Sequence, residues 1–188
     1  MALRVDRVRM PGGDIAEREV VEHFGAVAVA AVDENQRVAM VYQYRHPLGR
    51  RLWELPAGLL DAAGEDPLTT AKRELQEEAG LAATDWRVVV DTASSPGFSD
   101  ESVRTYLATG LSGVDRPARP EAEEADLKLR WFALADAADM VLAGEIVNAS
   151  AAAGVLAAFA VVVDGKPSRP ADAPWPDRST AFARRQGG

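Results

Sequence analysis

Apolar residues crowd the first third of the chain in short, valine-rich runs. Residues 26–32 and 37–44 read as strands, and the turn-like Asp33-Glu34-Asn35-Gln36 between them predicts a hairpin. Residues 3–10 and 18–23 alternate well enough for a smaller strand pair around a Pro11-Gly12-Gly13 turn. A short strand over 52–55 leads into the backbone punctuation of Pro56-Ala57-Gly58. Further strands are expected over 86–91, 102–108 and 127–132, and helices over 134–142 and from 147 to about 161. Strands and helices mix without a regular βαβ repeat, so the expected fold class is α+β and not a parallel doubly wound sheet.

One helix carries more information than the rest. Asp66 is a good N-cap, Pro67 is preorganised for the first helical position, and Gly80 suits a left-handed C-terminal cap, which together predict a helix over 67–79. At about 100° of rotation per residue, Leu68, Ala71, Leu75 and Ala79 form one stripe that must face a core. Glu74 and Glu78 lie roughly 40° apart at the border of that stripe, and Glu77 lies farther toward solvent. Carboxylates at i and i+4 repel, weakening an isolated helix by about 0.2–0.5 kcal/mol, and a shared divalent cation reverses that cost. Magnesium suits such a pair, because it takes one or two carboxylates together with waters and substrate phosphate oxygens. Taken alone, Arg73-Glu74-Leu75-Gln76-Glu77-Glu78 is more often just a solvated helix face.

Composition narrows the chemistry. With no cysteine, the chain has no thiolate nucleophile or thiolate metal site, and any metal must sit on oxygen or on His23 or His46. The net charge of −8 argues against a general nucleic-acid binder. A local cluster such as Arg45, Arg50 and Arg51 can still serve a small anion, although Arg50 and Arg51 read equally well as scattered surface charge. The longest apolar stretch, 151–163, is too short to cross a bilayer, and no basic and apolar leader precedes the first strand, so a cytoplasmic protein without membrane partners is expected. Four prolines after Gly165 predict an extended or partly disordered tail, which Trp175 and Phe182 could dock onto the body.

The segment from Gly58 to Leu81 resembles the Nudix box. Glu65, seven residues, and then Arg73-Glu74-Leu75-Gln76-Glu77-Glu78-Ala79-Gly80-Leu81 match it position by position, while six residues instead of five separate Gly58 from Glu65. The resemblance implies an α/β/α sandwich with a mixed sheet, and hydrolysis of a diphosphate by water with divalent ions, Mg2+ first and Mn2+ or another cation as a substitute. It implies metal ligation by Glu74 and Glu78, a secondary role for Glu77, a carbonyl ligand at Ala57, and Arg73 as a brace. Pro96, fifteen residues beyond Leu81, together with Gln43-Tyr44-Arg45, Glu54-Leu55-Pro56-Ala57-Gly58 and Arg18-Glu19, makes the stretch 18–160 look most like the actinobacterial ADP-ribose pyrophosphatases.

That branch implies ADP-ribose as substrate and AMP and ribose 5-phosphate as products. It implies substrate contacts from Arg45, Glu54, Phe98 and Glu101, and a homodimer in which Arg18 reaches the partner subunit's site. The base, or a further metal ligand, is expected in the acidic loop 120–126, at Glu124 with Glu123 close behind. The alternatives are another nucleoside diphosphate derivative (a nucleotide sugar, a dinucleoside polyphosphate or NADH) and a noncatalytic ligand sensor of the same fold. The expected organisation is an N-terminal strand region (1–24), a hydrolase domain (25–163) and a proline-rich tail (164–188).

Overall fold

The computed structural model describes residues 1–62, 64–116 and 127–186. Strands β1 (Ala2–Arg9) and β2 (Ile15–Glu22) form an antiparallel pair in the register Arg4↔Val20, turned by a Gly13 N–H to Met10 carbonyl bond of 2.8 Å. This pair is a two-stranded sheet of its own, joined to the body where Val21 bridges Ser99.

The body is built around β3 (Ala26–Ala31). Every residue from Val27 to Ala31 is fully buried. Its side chains alternate between two cores: Val27, Val29 and Ala31 enter one, Ala28 and Ala30 the other. A strand covered on both faces has no polar side, which is why this segment reads as continuous apolar sequence instead of an alternation. Among the described residues β3 lies between β8 and β6 in a five-stranded sheet with β6 (Ala57–Leu59), β7 (Leu81–Ala93), β8 (Ser102–Gly113) and β10 (Arg169–Pro170), in the order β10-β7-β8-β3-β6. The β3–β8 pair is parallel and the others are antiparallel, so the sheet is mixed.

Helix α1 (Pro67–Ala79) closes one face through Ala71, Leu75 and Ala79, and α2 (Leu134–Leu142) with α3 (Ala149–Val162) closes the other through Leu134, Ala137, Ala151, Val155 and Ala158. This is the α/β/α sandwich with a mixed sheet that the resemblance implied. No helix of the described residues is long and apolar enough to cross a membrane.

The expected hairpin between residues 26–32 and 37–44 does not form as such. The turn is present, with the Asp33 carboxylate accepting from the Asn35 and Arg37 amides and Gln36 at φ 57°, but only the bridge Val32↔Val38 joins the two segments. Beyond it β4 (Arg37–Arg45) leaves for a three-stranded sheet between β5 (Arg50–Glu54) and β9 (Lys128–Ala133). Both edges of β3 are taken by β6 and β8, which leaves no free edge for β4.

The tail is also more structured than expected. Ala173 and Phe182 are buried, β10 extends the main sheet, and a short helix, α4 (Ala181–Gln186), ends the described chain. Arg104, on β8, anchors it: its guanidinium donates to the Ala173 and Pro174 carbonyls at 2.7 and 3.0 Å, lies 4.7 Å over the Trp175 ring, and pairs with Asp91 at 2.8 and 3.0 Å. Burial pushes the Asp91 carboxyl up, but hydrogen bonds from Arg104 and Arg169 hold it below the usual carboxylate range.

Candidate active site

Helix α1 starts and stops for local reasons. The Asp66 carboxylate accepts from the Leu68 and Thr69 amides at 2.9 and 3.3 Å, an arrangement that contributes about 1 kcal/mol, and Gly80 ends the helix at φ 65°, a conformation costly for a residue with a Cβ. Leu75 is fully buried, an anchor of about 1.5–3 kcal/mol that fixes the helix's rotation against the sheet. That rotation puts Glu74 and Glu78 at the border of the buried face, 8% and 6% exposed, while Glu77 remains partly exposed.

Between α1, β3, β6 and the start of α3 lies a cleft of about 670 Å3. Its lining brings together Glu74, Glu77, Glu78, Arg73, Ala57, Arg45, Glu54 and Glu101, all expected from the sequence, and adds Asp61, which was not, and His23, which the sequence named only as one of two histidines able to take a metal. His23 comes into view only through folding: its Nδ1 accepts the Gly25 amide at 3.2 Å and lies 3.5 Å from Glu101 Oε1, a residue 78 positions away.

Arg73 sits at the hub of the acidic cluster. Its guanidinium reaches Glu74 at 2.7 Å, Glu77 at 2.9 Å and Glu65 at 3.3 Å. Partial burial opposes its charge, but the hydrogen bond it donates to Glu65 and the fields of Glu74 and Glu77 outweigh that and hold it firmly protonated. In return, the Arg73 and Thr70 hydrogen bonds keep the Glu65 carboxyl below its usual range. Glu65 thus keeps its brace despite the extra residue between Gly58 and Glu65. The loop absorbs that residue in a turn closed by the Glu65 amide on the Ala62 carbonyl at 3.1 Å, with Gly64 at φ 82°.

The backbone of β6 completes the cluster. Bonds from Val29 N to Pro56 O (2.8 Å) and from Leu60 N to Gly25 O (3.1 Å) mark the paired positions of β6 against β3; counting by twos makes Gly58 one of them and leaves Ala57 out. The N–H of Ala57 therefore faces away from β3 and donates to Glu78 Oε2 at 2.9 Å, and its carbonyl lies on the same open side, β6 being the last strand of the sheet. Gly58 has a different role: a Cβ there would lie 2.0 Å from Glu74 Oε1 and 2.5 Å from its Cγ, so only glycine lets Glu74 lie against the strand.

The described lining carries six carboxylates (Glu54, Asp61, Glu74, Glu77, Glu78, Glu101) against two guanidiniums, Arg45 and Arg73. Both guanidiniums are already engaged, Arg45 by Glu54 at 2.7 and 2.9 Å. Such a cleft repels an anion unless a cation intervenes. Glu74, Glu78 and the Ala57 carbonyl form a hard, all-oxygen donor set suited to one. No three acidic or histidine side chains among the described residues close into a cage, and a site that shares its cation with a phosphate needs none.

Arg18 and Phe98 lie elsewhere. Arg18 is exposed on β2 beside Met10, and Phe98 is 58% exposed on the 95–99 turn, whose carbonyl at residue 98 accepts from Val21 N at 2.7 Å. Glu123 and Glu124 fall outside the described residues.

A layered α/β/α fold with paired glutamates and a glycine-backed strand at one cleft defines a hydrolase of the Nudix class. The NUDIX domain model matches residues 22–152, and the chain belongs to the Nudix family. It is 62% identical to an ADP-ribose pyrophosphatase of Mycobacterium tuberculosis over 98% of this chain and 89% of that protein. It is 44% identical to the methanol dehydrogenase activator of Bacillus methanolicus over 65% of each chain. Among solved structures, an ADP compounds hydrolase shares the fold with a TM-score of 0.66 at 19% identity, over 83% of this chain and 90% of that one.

Proposed function

We propose that this protein hydrolyses the diphosphate of ADP-ribose to AMP and ribose 5-phosphate with Mg2+ as its divalent cation. The observation that carries the chemistry is the Glu74 and Glu78 pair beside the Ala57 carbonyl, in a cleft too acidic to take a diphosphate without a cation. The choice of substrate rests on the 62% identity over nearly the whole chain. When bound, the metal supplies neutralisation of the diphosphate and activation of water.

The chain's residues do the rest. Glu74 and Glu78 hold the cation, Glu77 assists, Arg73 keeps Glu74 and Glu77 aimed, and the Ala57 amide does the same for Glu78. Arg45, Glu54 and Glu101 contact the polar groups of the substrate. Water adds to one phosphorus, the bridging P–O bond breaks, and the proton of the water passes to Glu124, or to Glu123 if that side chain is the nearer.

The test is hydrolysis of ADP-ribose with and without magnesium, beside a nucleotide sugar, a dinucleoside polyphosphate and NADH. AMP and ribose 5-phosphate should form only with metal, and ADP-ribose should be preferred. A better rate on another compound moves the substrate assignment, and no metal-dependent turnover of any of them returns the reading to a ligand sensor. In the same assay Glu124→Gln should depress kcat more than it raises KM; if only Glu123→Gln does so, the two roles exchange.

We also assign Arg18 to the partner's cleft in a homodimer. The reading is supported by the strand pair β1–β2, which leaves Leu3, Val5 and Ile15 at 70%, 57% and 54% exposure. Light scattering should then give twice the 20.1 kDa chain mass, and a monomer at micromolar concentration would end the assignment.

A further inference from the structure

Two residues reach the cleft from segments far apart in the chain, Glu101 just before β8 and His23 just after β2, and both are backed by the C-terminal tail. Each is flanked by neighbours that the tail holds. Around Glu101 those neighbours are Asp100 and Ser102. The Ser179 hydroxyl spans them: it donates to the Asp100 carbonyl at 2.5 Å and accepts the Ser102 amide at 3.0 Å. The Ser102 hydroxyl returns the contact, accepting from the Ser179 amide at 3.0 Å and lying 3.0 Å from Ser179 Oγ. Both serines are buried, so water does not compete for these bonds.

The same pattern flanks His23. Phe182 meets Phe24 edge-on at a ring separation of 4.7 Å, Arg185 pairs with the fully buried Glu22, and the His23 amide donates to the Asp100 carboxylate at 2.8 Å. The tail thus grips the outer side of each segment whose inner side forms the cleft wall.

We propose that the C-terminal segment is a strap that positions the Glu101 wall of the cleft, with Ser179 as the positioning residue through which it acts. The proposal rests on the reading that Glu101 contacts the substrate. Ser179 touches no part of the cleft; it holds the two peptide units on either side of Glu101, so that the carboxylate meets the substrate without first being ordered.

A double-mutant cycle in the full-length protein tests this, with KM and kcat for ADP-ribose measured at saturating magnesium. Ser179→Ala should raise KM about three- to tenfold and leave kcat within about twofold, the size expected for one buried hydrogen-bonding hydroxyl. Glu101→Gln should raise KM on its own, and adding Ser179→Ala to it should bring no further rise. Full additivity, or an unchanged KM in Ser179→Ala while Glu101→Gln raises it, overturns the strap and leaves the substrate contact standing. An unchanged KM in Glu101→Gln removes the contact and the strap together. If Ser179→Ala does not accumulate as folded protein, Phe182→Leu, which loosens the same strap at Phe24, is put through the same cycle with the same expected outcome.

Discussion

Glu78→Gln should lower kcat by at least about 100-fold while leaving the protein as stable as before, or slightly more so. Glu78 accepts the Ala57 amide at 2.9 Å, and a glutamine there keeps both the volume and an acceptor oxygen, so the strand remains satisfied. What is lost is one of two charges on the nearly buried edge of α1. Relief of the repulsion from Glu74 contributes about 0.2–0.5 kcal/mol to the helix, so thermal unfolding should move little or upward as turnover falls. Loss of function without loss of fold is the signature of a group retained for its charge. Turnover near the starting level at saturating magnesium would remove Glu78 from the metal site, and a collapse in unfolding temperature would recast it as a structural residue.

The second large effect is expected from a residue with no side chain. Gly58→Ala puts a methyl group 2.0 Å from Glu74 Oε1, 2.1 Å from its Cδ and 2.5 Å from its Cγ. The carboxylate end alone could swing aside, but a clash with Cγ moves the whole side chain or the strand beneath it. A displacement of about 1 Å at a reacting centre costs about 100-fold, so kcat/KM should fall by about that much, with a loss of about 1–3 kcal/mol in stability from overpacking. Magnesium titration should show weakened metal dependence in Gly58→Ala, because the displaced group is a metal ligand in the proposed site. Full activity with unchanged metal dependence would mean that Glu74 does not need this position.

The two experiments concern one packing unit, in which β6 supplies a backbone against which both glutamates lie. Arg73 belongs to it as well, since its three carboxylate partners keep the cluster together when two like charges on adjacent turns would separate. The extra residue in the preceding loop leaves the unit intact, because Glu65 reaches Arg73 and Thr70 from beyond the Ala62 turn.

Helix α1 was legible before folding, bounds included. Its caps, its buried stripe, and the placement of Glu74 and Glu78 at the border with Glu77 farther out all follow from residues within four positions of one another, where helical geometry alone sets the neighbours. Most strand segments were legible too, although β6 reads only as punctuation after residues 52–55 and β10 only as tail, and so was the likeness that the family match bears out. Partnership between strands was not, because a period-two pattern tells which side of a strand is buried and not which strand lies beside it. Hence β3 and β4 share a turn but belong to different sheets, and β3 instead pairs in parallel with β8, more than seventy residues on. The same physics decides the cleft wall. His23 and Glu101 meet only because the end of β2 lies beside the start of β8, and a tail that its prolines mark as extended becomes ordered because buried Arg104 and Ser102 and partly buried Phe24 offer it partners. Local spacing settles which glutamates share the edge of the helix; long-range packing settles what faces them across the cleft.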